Sequence, residues 1–142
     1  MDDAEVVRAY EVQAGDFSNA GKASTSIKDT LKDLGLAAPL VRRVAIAAYE
    51  AEMNIVMYAH RGTMRLSVTP GSIVLDVRDE GPGIPDITLA MQEGYSTATA
   101  QMREMGFGAG MGLPNIKRNS DELTVTSEVG RGTHVSLRVN VS

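Results

Sequence analysis

The chain has 142 residues, of which 43% are hydrophobic and 23% charged, a size and composition typical of one globular domain. Its formal net charge of -4 argues against nucleic acid or an anionic membrane as the main partner. The absence of cysteine excludes disulfides, thiol catalysis and thiolate metal sites. No apolar run approaches the roughly 20 residues of a membrane span, so we expect a single cytoplasmic domain over residues 1–142.

The N-terminal half predicts a strand and two helices. The strand covers Val6–Val12 at a sheet edge, and turn residues then lead into a helix over about Asn19–Leu34 that ends at Gly35. The apolar side of this helix is expected to consist of Ala20, Ile27, Leu31 and Leu34. The second helix, over Leu40–His60 and ending at Gly62, is apolar around most of its circumference, as in a helix buried on several sides.

Three polar residues in the second helix need an explanation. At about 100° per residue, Glu50 and Asn54 lie one turn apart on the same face. Glu52 points the other way, and we expect it to be solvated or locally paired.

The C-terminal half predicts strands in hairpins. Strands over Met64–Thr69 and Ser72–Arg78 are joined by a Pro-Gly turn, and a later pair covers Glu122–Glu128 and Thr133–Val141. Hairpins, rather than strand–helix–strand units, predict an α/β two-layer sandwich with a mixed, mostly antiparallel sheet and the helices on one face.

Two glycine-rich turns lie between these hairpins. The first reads Asp79-Glu80-Gly81-Pro82-Gly83, and the second has glycines at alternate positions up to Gly112, where a helix to about Asn119 begins. Alternating glycines are unfavourable in a strand, and a helix start favours an anion such as phosphate. A short helix over Asp86–Met91 and a long loop over Glu93–Gly110 separate the turns, and loops of that length are often lids. We therefore predict a nucleotide between the two turns.

Several familiar signatures are absent. The sequence has no Gly-x-x-x-x-Gly-Lys-Ser/Thr loop, no glycine spacing of the dinucleotide-binding kind, and no His-Arg-Asp or Asp-Phe-Gly of eukaryotic protein kinases. The two histidines, His60 and His134, are far apart with no carboxylate at metal-ligand spacing.

Each candidate residue also has an ordinary interpretation. Asp79 either opens a turn or accepts a hydrogen bond from the amino group of adenine, which a carboxylate selects because it only accepts. Asn54 is either a satisfied helix residue or a Mg²⁺ ligand. Glu50 is either structural or the group that orients or deprotonates an attacking hydroxyl or water. Together, and in this order, the three favour the functional interpretation.

In combination these residues resemble the Bergerat ATP-binding fold, shared by gyrase, Hsp90, histidine kinases and MutL. The match covers roughly Leu40–Val139. Four elements carry it: Glu50-x-x-x-Asn54 resembles the N box, Asp79-x-Gly81-x-Gly83 the first glycine box, Gly106-Phe-Gly-Ala-Gly-Met-Gly112 the second, and Gly132-Thr133 the late Gly-Thr element.

Within this family, the chain is most similar to the bacterial anti-sigma-factor and stress-module serine/threonine kinases. Asp79–Asp86, Gly94-Tyr95-Ser96-Thr97 and Gly110–Arg118 carry the similarity. Tyr58, where sporulation-type relatives often carry His, favours the stress-switch branch, although Ala98–Gly106 is longer than the corresponding connection in that branch. The resemblance implies a kinase that moves the γ-phosphate of Mg-ATP to a serine or threonine of a STAS-domain protein.

The resemblance also implies roles for individual residues. Glu50 would be the catalytic base, Asn54 the Mg²⁺ ligand, and residues 93–111 the lid over the phosphates, with Lys117 or Arg118 near them. The implied ATP-binding set is Asn54, Asp79, Gly81, Gly83, Ile84, Gly106, Gly108, Gly110, Met111, Gly112, Leu113, Lys117 and Thr133.

Three functions are open at this point. The first is the kinase. The second is an anti-sigma binding module that sequesters a sigma factor or other regulatory protein, with ATP mainly structural. The third, an isolated histidine-kinase catalytic domain, is disfavoured because 142 residues leave no room for a dimerising helical hairpin, and gyrase-like or Hsp90-like engines are disfavoured because no transducer domain is present. A homodimer is expected by analogy alone.

Overall fold

The computed structural model describes residues 5–84, 87, 91 and 112–141. Its helices are α1 (Lys22–Asp33), α2 (Ala38–Tyr58) and α3 (Gly112–Arg118), and a 3-10 turn covers Phe17–Asn19. Its strands are β1 (Val6–Gln13), β2 (Arg61–Val68), β3 (Ser72–Glu80), β4 (Glu122–Glu128) and β5 (Gly132–Asn140).

The five strands form one sheet in the order β1-β2-β3-β5-β4. Every pairing between these strands is antiparallel, so the sheet is antiparallel throughout the part of the chain that the structure describes, rather than mixed. The α/β class, the hairpins and the edge position of β1 are confirmed.

One face of the sheet is buried beneath the helices. Leu66, Leu75 and Leu137 lie side by side in neighbouring strands and are 1% exposed or less. Ile55 of α2 lies over the same face, since a Cβ added to Gly62 would be 2.6 Å from its Cδ1. The alternate strand residues face away, as in a half-buried antiparallel sheet. Helices on one face are thus confirmed.

The predicted element boundaries need three corrections. Helix α1 begins at Lys22 rather than near Asn19 because Gly21 before it has a left-handed backbone, with φ of 96°. Leu34 lies beyond the end of α1 and is 43% exposed, so its place on the apolar side was wrong. Gly62 does not end α2: the helix stops at Tyr58, and Gly62 lies inside β2.

The expectation that Glu52 is solvated or locally paired was also wrong. Its side chain is 2% exposed, and its carboxylate accepts hydrogen bonds from the backbone N–H groups of Gly21 at 3.0 Å and Ser24 at 2.9 Å. The first N–H groups of a helix lack partners within the helix and attract negative charge. Glu52 of α2 therefore caps the start of α1 from a neighbouring helix.

Two further predictions fall largely outside the described residues. Of the helix predicted over Asp86–Met91, the structure describes Ile87, which is helical, and Met91, whose N–H donates to the Ile87 carbonyl at 3.0 Å, the spacing of a helix. The loop predicted over Glu93–Gly110 lies wholly outside. Within the described ranges, no helix combines the length and apolar character needed to cross a membrane.

Candidate nucleotide-binding site

Asp79 and Thr133 meet on the helix-covered face of the sheet, near the end of β3. The pairing of β3 with β5 extends to Arg78 and His134, and next to this pair the Thr133 N–H donates to Oδ1 of Asp79 at 3.1 Å. The other carboxylate oxygen accepts no hydrogen bond from a described residue. Burial raises the pKa of Asp79, and the bond from Thr133 opposes that rise.

Ser127 of β4 completes this polar row, and sequence reasoning missed it. Its hydroxyl oxygen accepts from the Ile84 N–H at 2.7 Å and lies 3.0 Å from the Gly132 carbonyl oxygen and 2.9 Å from the Thr133 hydroxyl. A serine has one donor and two acceptor positions, so it donates to Gly132 and accepts from the other two. The available signal was a polar residue on the inward-facing side of β4.

Two glycines allow the first glycine box to pack against the β4–β5 turn. Gly83 has φ of 77°, and an added Cβ would be 2.6 Å from the Glu128 carbonyl oxygen. Gly132 has φ of 154°, and its Cβ would be 2.0 Å from the Asp79 carbonyl oxygen. Backbone approach this close excludes any side chain, so these glycines hold the turn that carries Asp79 in place.

Glu50 and Asn54 lie on the face of α2 that packs against α3. A Cβ on Gly112 would be 3.2 Å from Oδ1 of Asn54, and Nδ2 of Asn115 donates to Oε2 of Glu50 at 3.4 Å. The N box and the end of the second glycine box, which are far apart in sequence, are therefore brought together. Asn115 was also missed, because nothing in its spacing separates it from an ordinary helix residue.

Of the remaining predicted ATP-binding residues that the structure describes, two contribute to the core and one lines a different groove. Leu113 is 7% exposed and belongs to the core, and Ile84 packs against that core. Lys117 lies about 200° around α3 from Asn115 and lines a separate groove of about 380 Å³ with Ser120. The residues outside the described ranges are Gly106, Gly108, Gly110 and Met111.

Comparison with known proteins identifies the family. Residues 15–139 match the histidine kinase-like ATPase domain, and the chain belongs to this family. It is 32% identical over 112 residues to the serine/threonine-protein kinase RsbT of Bacillus subtilis, covering 76% of this chain and 78% of that protein. It is 33% identical over 107 residues to the anti-sigma F factor of Caldanaerobacter subterraneus, covering 70% and 71%.

A third relative is the anti-sigma F factor of Geobacillus stearothermophilus, with 37% identity over 95 residues, 63% of this chain and 62% of that protein. These matches confirm the predicted resemblance to the Bergerat family and to its sigma-regulating kinases. Since the family is one of ATPases, ATP is the nucleotide that the fold uses.

Proposed function

We propose that the chain is a serine/threonine protein kinase of the sigma-regulating kind, which transfers the γ-phosphate of ATP to a hydroxyl of a regulatory protein. The similarity to RsbT supports this activity. The observation that carries the proposal is the pairing of Glu50 and Asn54 on one face of α2 against α3. This places a carboxylate, which can act as a base, near an amide oxygen, which can bind a hard cation.

Asp79 is the proposed adenine-binding residue. Its Oδ1 is held by Thr133, and its second oxygen has no partner among the described residues. A carboxylate oxygen in that state can accept from the exocyclic amine of adenine. Thr133 holds this carboxylate, and Gly81, Gly83 and Ile84 are the further residues proposed for the adenine end of the site.

The Mg²⁺ site proposed at Asn54 needs ligands from outside the protein. Among the described residues, no group of three histidine, aspartate or glutamate side chains could hold a metal ion. Mg²⁺ in ATP sites commonly takes one or two protein ligands and fills its shell with phosphate oxygens and water, which fits a single amide oxygen. The bound ion would neutralise charge on the phosphates.

The proposed phosphate end of the site begins at Gly112, which lies beside Asn54. The other residues proposed for the phosphate end and the lid are Gly106, Gly108, Gly110, Met111, Leu113 and Lys117.

Glu50 is proposed to act as the base. The substrate hydroxyl oxygen forms a bond to the γ-phosphorus, the bond from that phosphorus to the bridging oxygen breaks, and its electron pair leaves with ADP. The hydroxyl proton passes to the Glu50 carboxylate. Positioning and charge compensation supply most of the acceleration in phosphoryl transfer, so the base contributes one part of it.

The proposed protein substrate is a STAS-domain partner, and a homodimer is the proposed assembly. The test is incubation of the pure protein with γ-labelled Mg-ATP in extract of its own cells, with Glu50→Gln as the control. We expect a labelled band whose label survives acid, because phosphoserine and phosphothreonine are acid-stable. An acid-labile label would instead indicate a histidine kinase.

A second candidate function is sequestration of a sigma factor or another regulatory protein. The similarity to the anti-sigma F factors favours it. The same extract separates the two candidates: binding of ATP without transfer of label, together with recovery of a sigma factor on the immobilised protein, would favour sequestration.

A further inference from the structure

Asn115 of α3 links two charged side chains beside the proposed base. Its Nδ2 donates to Oε2 of Glu50 at 3.4 Å, and its Oδ1 accepts from Nη1 of Arg118 at 2.7 Å. A guanidinium group only donates and an ionised carboxylate only accepts. The two partners therefore fix the orientation of the amide, because turning it over would lose both hydrogen bonds.

The hydrogen bond from Asn115 makes the two oxygens of Glu50 different from each other. Oε2 is engaged, whereas Oε1 accepts no hydrogen bond from any described residue. Glutamate has several rotatable bonds, so a carboxylate held at one oxygen occupies fewer orientations than a free one.

We propose that Asn115 is a positioning residue that holds Oε2 of Glu50 and thereby presents Oε1 to the hydroxyl of the protein substrate. The inference rests on the proposed kinase function and names the atom that takes the proton. Arg118 supports this role, because a cation at the amide oxygen of Asn115 polarises the amide and makes its N–H a stronger donor.

The chemistry of this bridge requires an amide. Alanine would remove both hydrogen bonds. Aspartate would keep the acceptor for Arg118 but lose the donor, placing a second carboxylate beside Glu50, where like charges repel.

The experiment compares Asn115→Ala, Asn115→Asp and Glu50→Gln with the wild-type protein. Each is incubated with γ-labelled Mg-ATP and the protein that the wild type labels in extract. We expect Asn115→Ala to lower kcat by about tenfold, a part of the roughly 100-fold or more that a positioned base supplies, and Asn115→Asp to lower it further. The KM for ATP and the dissociation constant of ADP should stay within about twofold of wild type, because a positioning residue acts on the transfer step. If Asn115 were merely structural, its loss would change both constants together with kcat.

The matched control is Asn119→Asp. Asn119 lies one turn further along, just beyond the end of α3, and its Nδ2 donates to the Asn115 main-chain carbonyl oxygen at 2.8 Å. No hydrogen bond joins it to Glu50 among the described residues, so the kcat of Asn119→Asp should equal that of wild type.

Two results would overturn the inference while leaving the kinase intact. One is wild-type kcat in Asn115→Asp while Glu50→Gln is inactive, and the other is a loss of kcat that matches a loss of ADP affinity. Full activity of Glu50→Gln would show that Glu50 is not the base, and Asn115 would then have no base to position. Absence of label with the wild-type protein would contradict the proposed kinase.

Discussion

The main-chain N–H of Thr133 donates to Oδ1 of Asp79 at 3.1 Å, across the junction between β3 and β5. This bond fixes the carboxylate against the sheet while leaving its second oxygen without a partner among the described residues. A half-buried carboxylate with an unused acceptor is unfavourable in the isolated protein. Such groups are more often found at binding sites than elsewhere, and this relationship leads to the first two predictions.

Asp79→Asn should greatly weaken ATP binding. The amide oxygen can still accept from Thr133, but the amide nitrogen would then face the adenine amine, donor against donor. We expect a loss of affinity of about 30-fold or more, measured by calorimetric titration with ATP. The control is Asp76→Asn on the opposite face of β3, where Asp76 contacts His134 at 2.7 Å; it should bind like wild type. Wild-type affinity in Asp79→Asn would contradict the adenine assignment.

The same variant should be more stable than wild type when no nucleotide is bound. Burial raises the pKa of Asp79 above its ordinary value of 3.8. A carboxyl group with a raised pKa stabilises the folded state below its ordinary pKa, and this contribution is lost as the pH rises through the raised value. The advantage of Asp79→Asn should therefore be full at neutral pH and should shrink as the pH falls towards that ordinary value. Denaturant unfolding over a pH series measures it, and an advantage that grows towards acid would be the contrary result.

Glu52→Ala should destabilise the domain through α1. The substitution leaves the backbone N–H groups of Gly21 and Ser24 without the carboxylate that accepts from them. Loss of a buried charge-assisted cap costs roughly 3 kcal/mol, measured as the free energy of unfolding in urea. Asp29→Asn on the exposed side of α1 is the matched control and should change stability by less than about 0.5 kcal/mol. Equal stability of the two variants would show that the Glu52 contacts contribute nothing.

Alanine substitutions should have different effects on stability at Gly130, in the β4–β5 turn, and at Gly132, the first residue of β5. Gly130 has φ of 84° with no atom within 4 Å of an added Cβ, so Gly130→Ala carries only backbone strain of about 1 kcal/mol. Gly132→Ala adds a clash with the Asp79 carbonyl oxygen, 2.0 Å from the Cβ, and should cost roughly 3 kcal/mol or more. Thermal unfolding of the two variants ranks them, and the reverse order would contradict the described turn.

The sequence predicted the elements well wherever a local pattern determines them. The first hairpin followed from its Pro-Gly turn, and Ile27 and Leu31 of α1 are fully buried as their spacing predicts. Element ends were less predictable. Gly62 looked like a helix stop but lies in β2. A glycine is required there because Ile55 packs against it, not because the backbone turns at this position.

Residues that work through partners distant in sequence could not be predicted. Periodicity placed Glu52 away from Glu50, but it could not show that the N-terminus of α1 would meet that side of α2. Ser127 and Asn115 were missed for the same reason, since their importance comes from Ile84 and Glu50, which lie 43 and 65 residues away. The placement of Glu50 and Asn54 on one helix face followed from periodicity, whereas the pairing of Asp79 with Thr133 came from the family resemblance rather than from folding rules.

Glu50 is proposed to take part in phosphoryl transfer at an ATP site that includes Asp79. The most direct test measures ADP affinity and γ-phosphate transfer side by side for wild type and Glu50→Gln. We expect Glu50→Gln to bind ADP like wild type and to transfer phosphate at least about 100-fold more slowly, the contribution expected of a general base. Transfer at the wild-type rate by Glu50→Gln would contradict it.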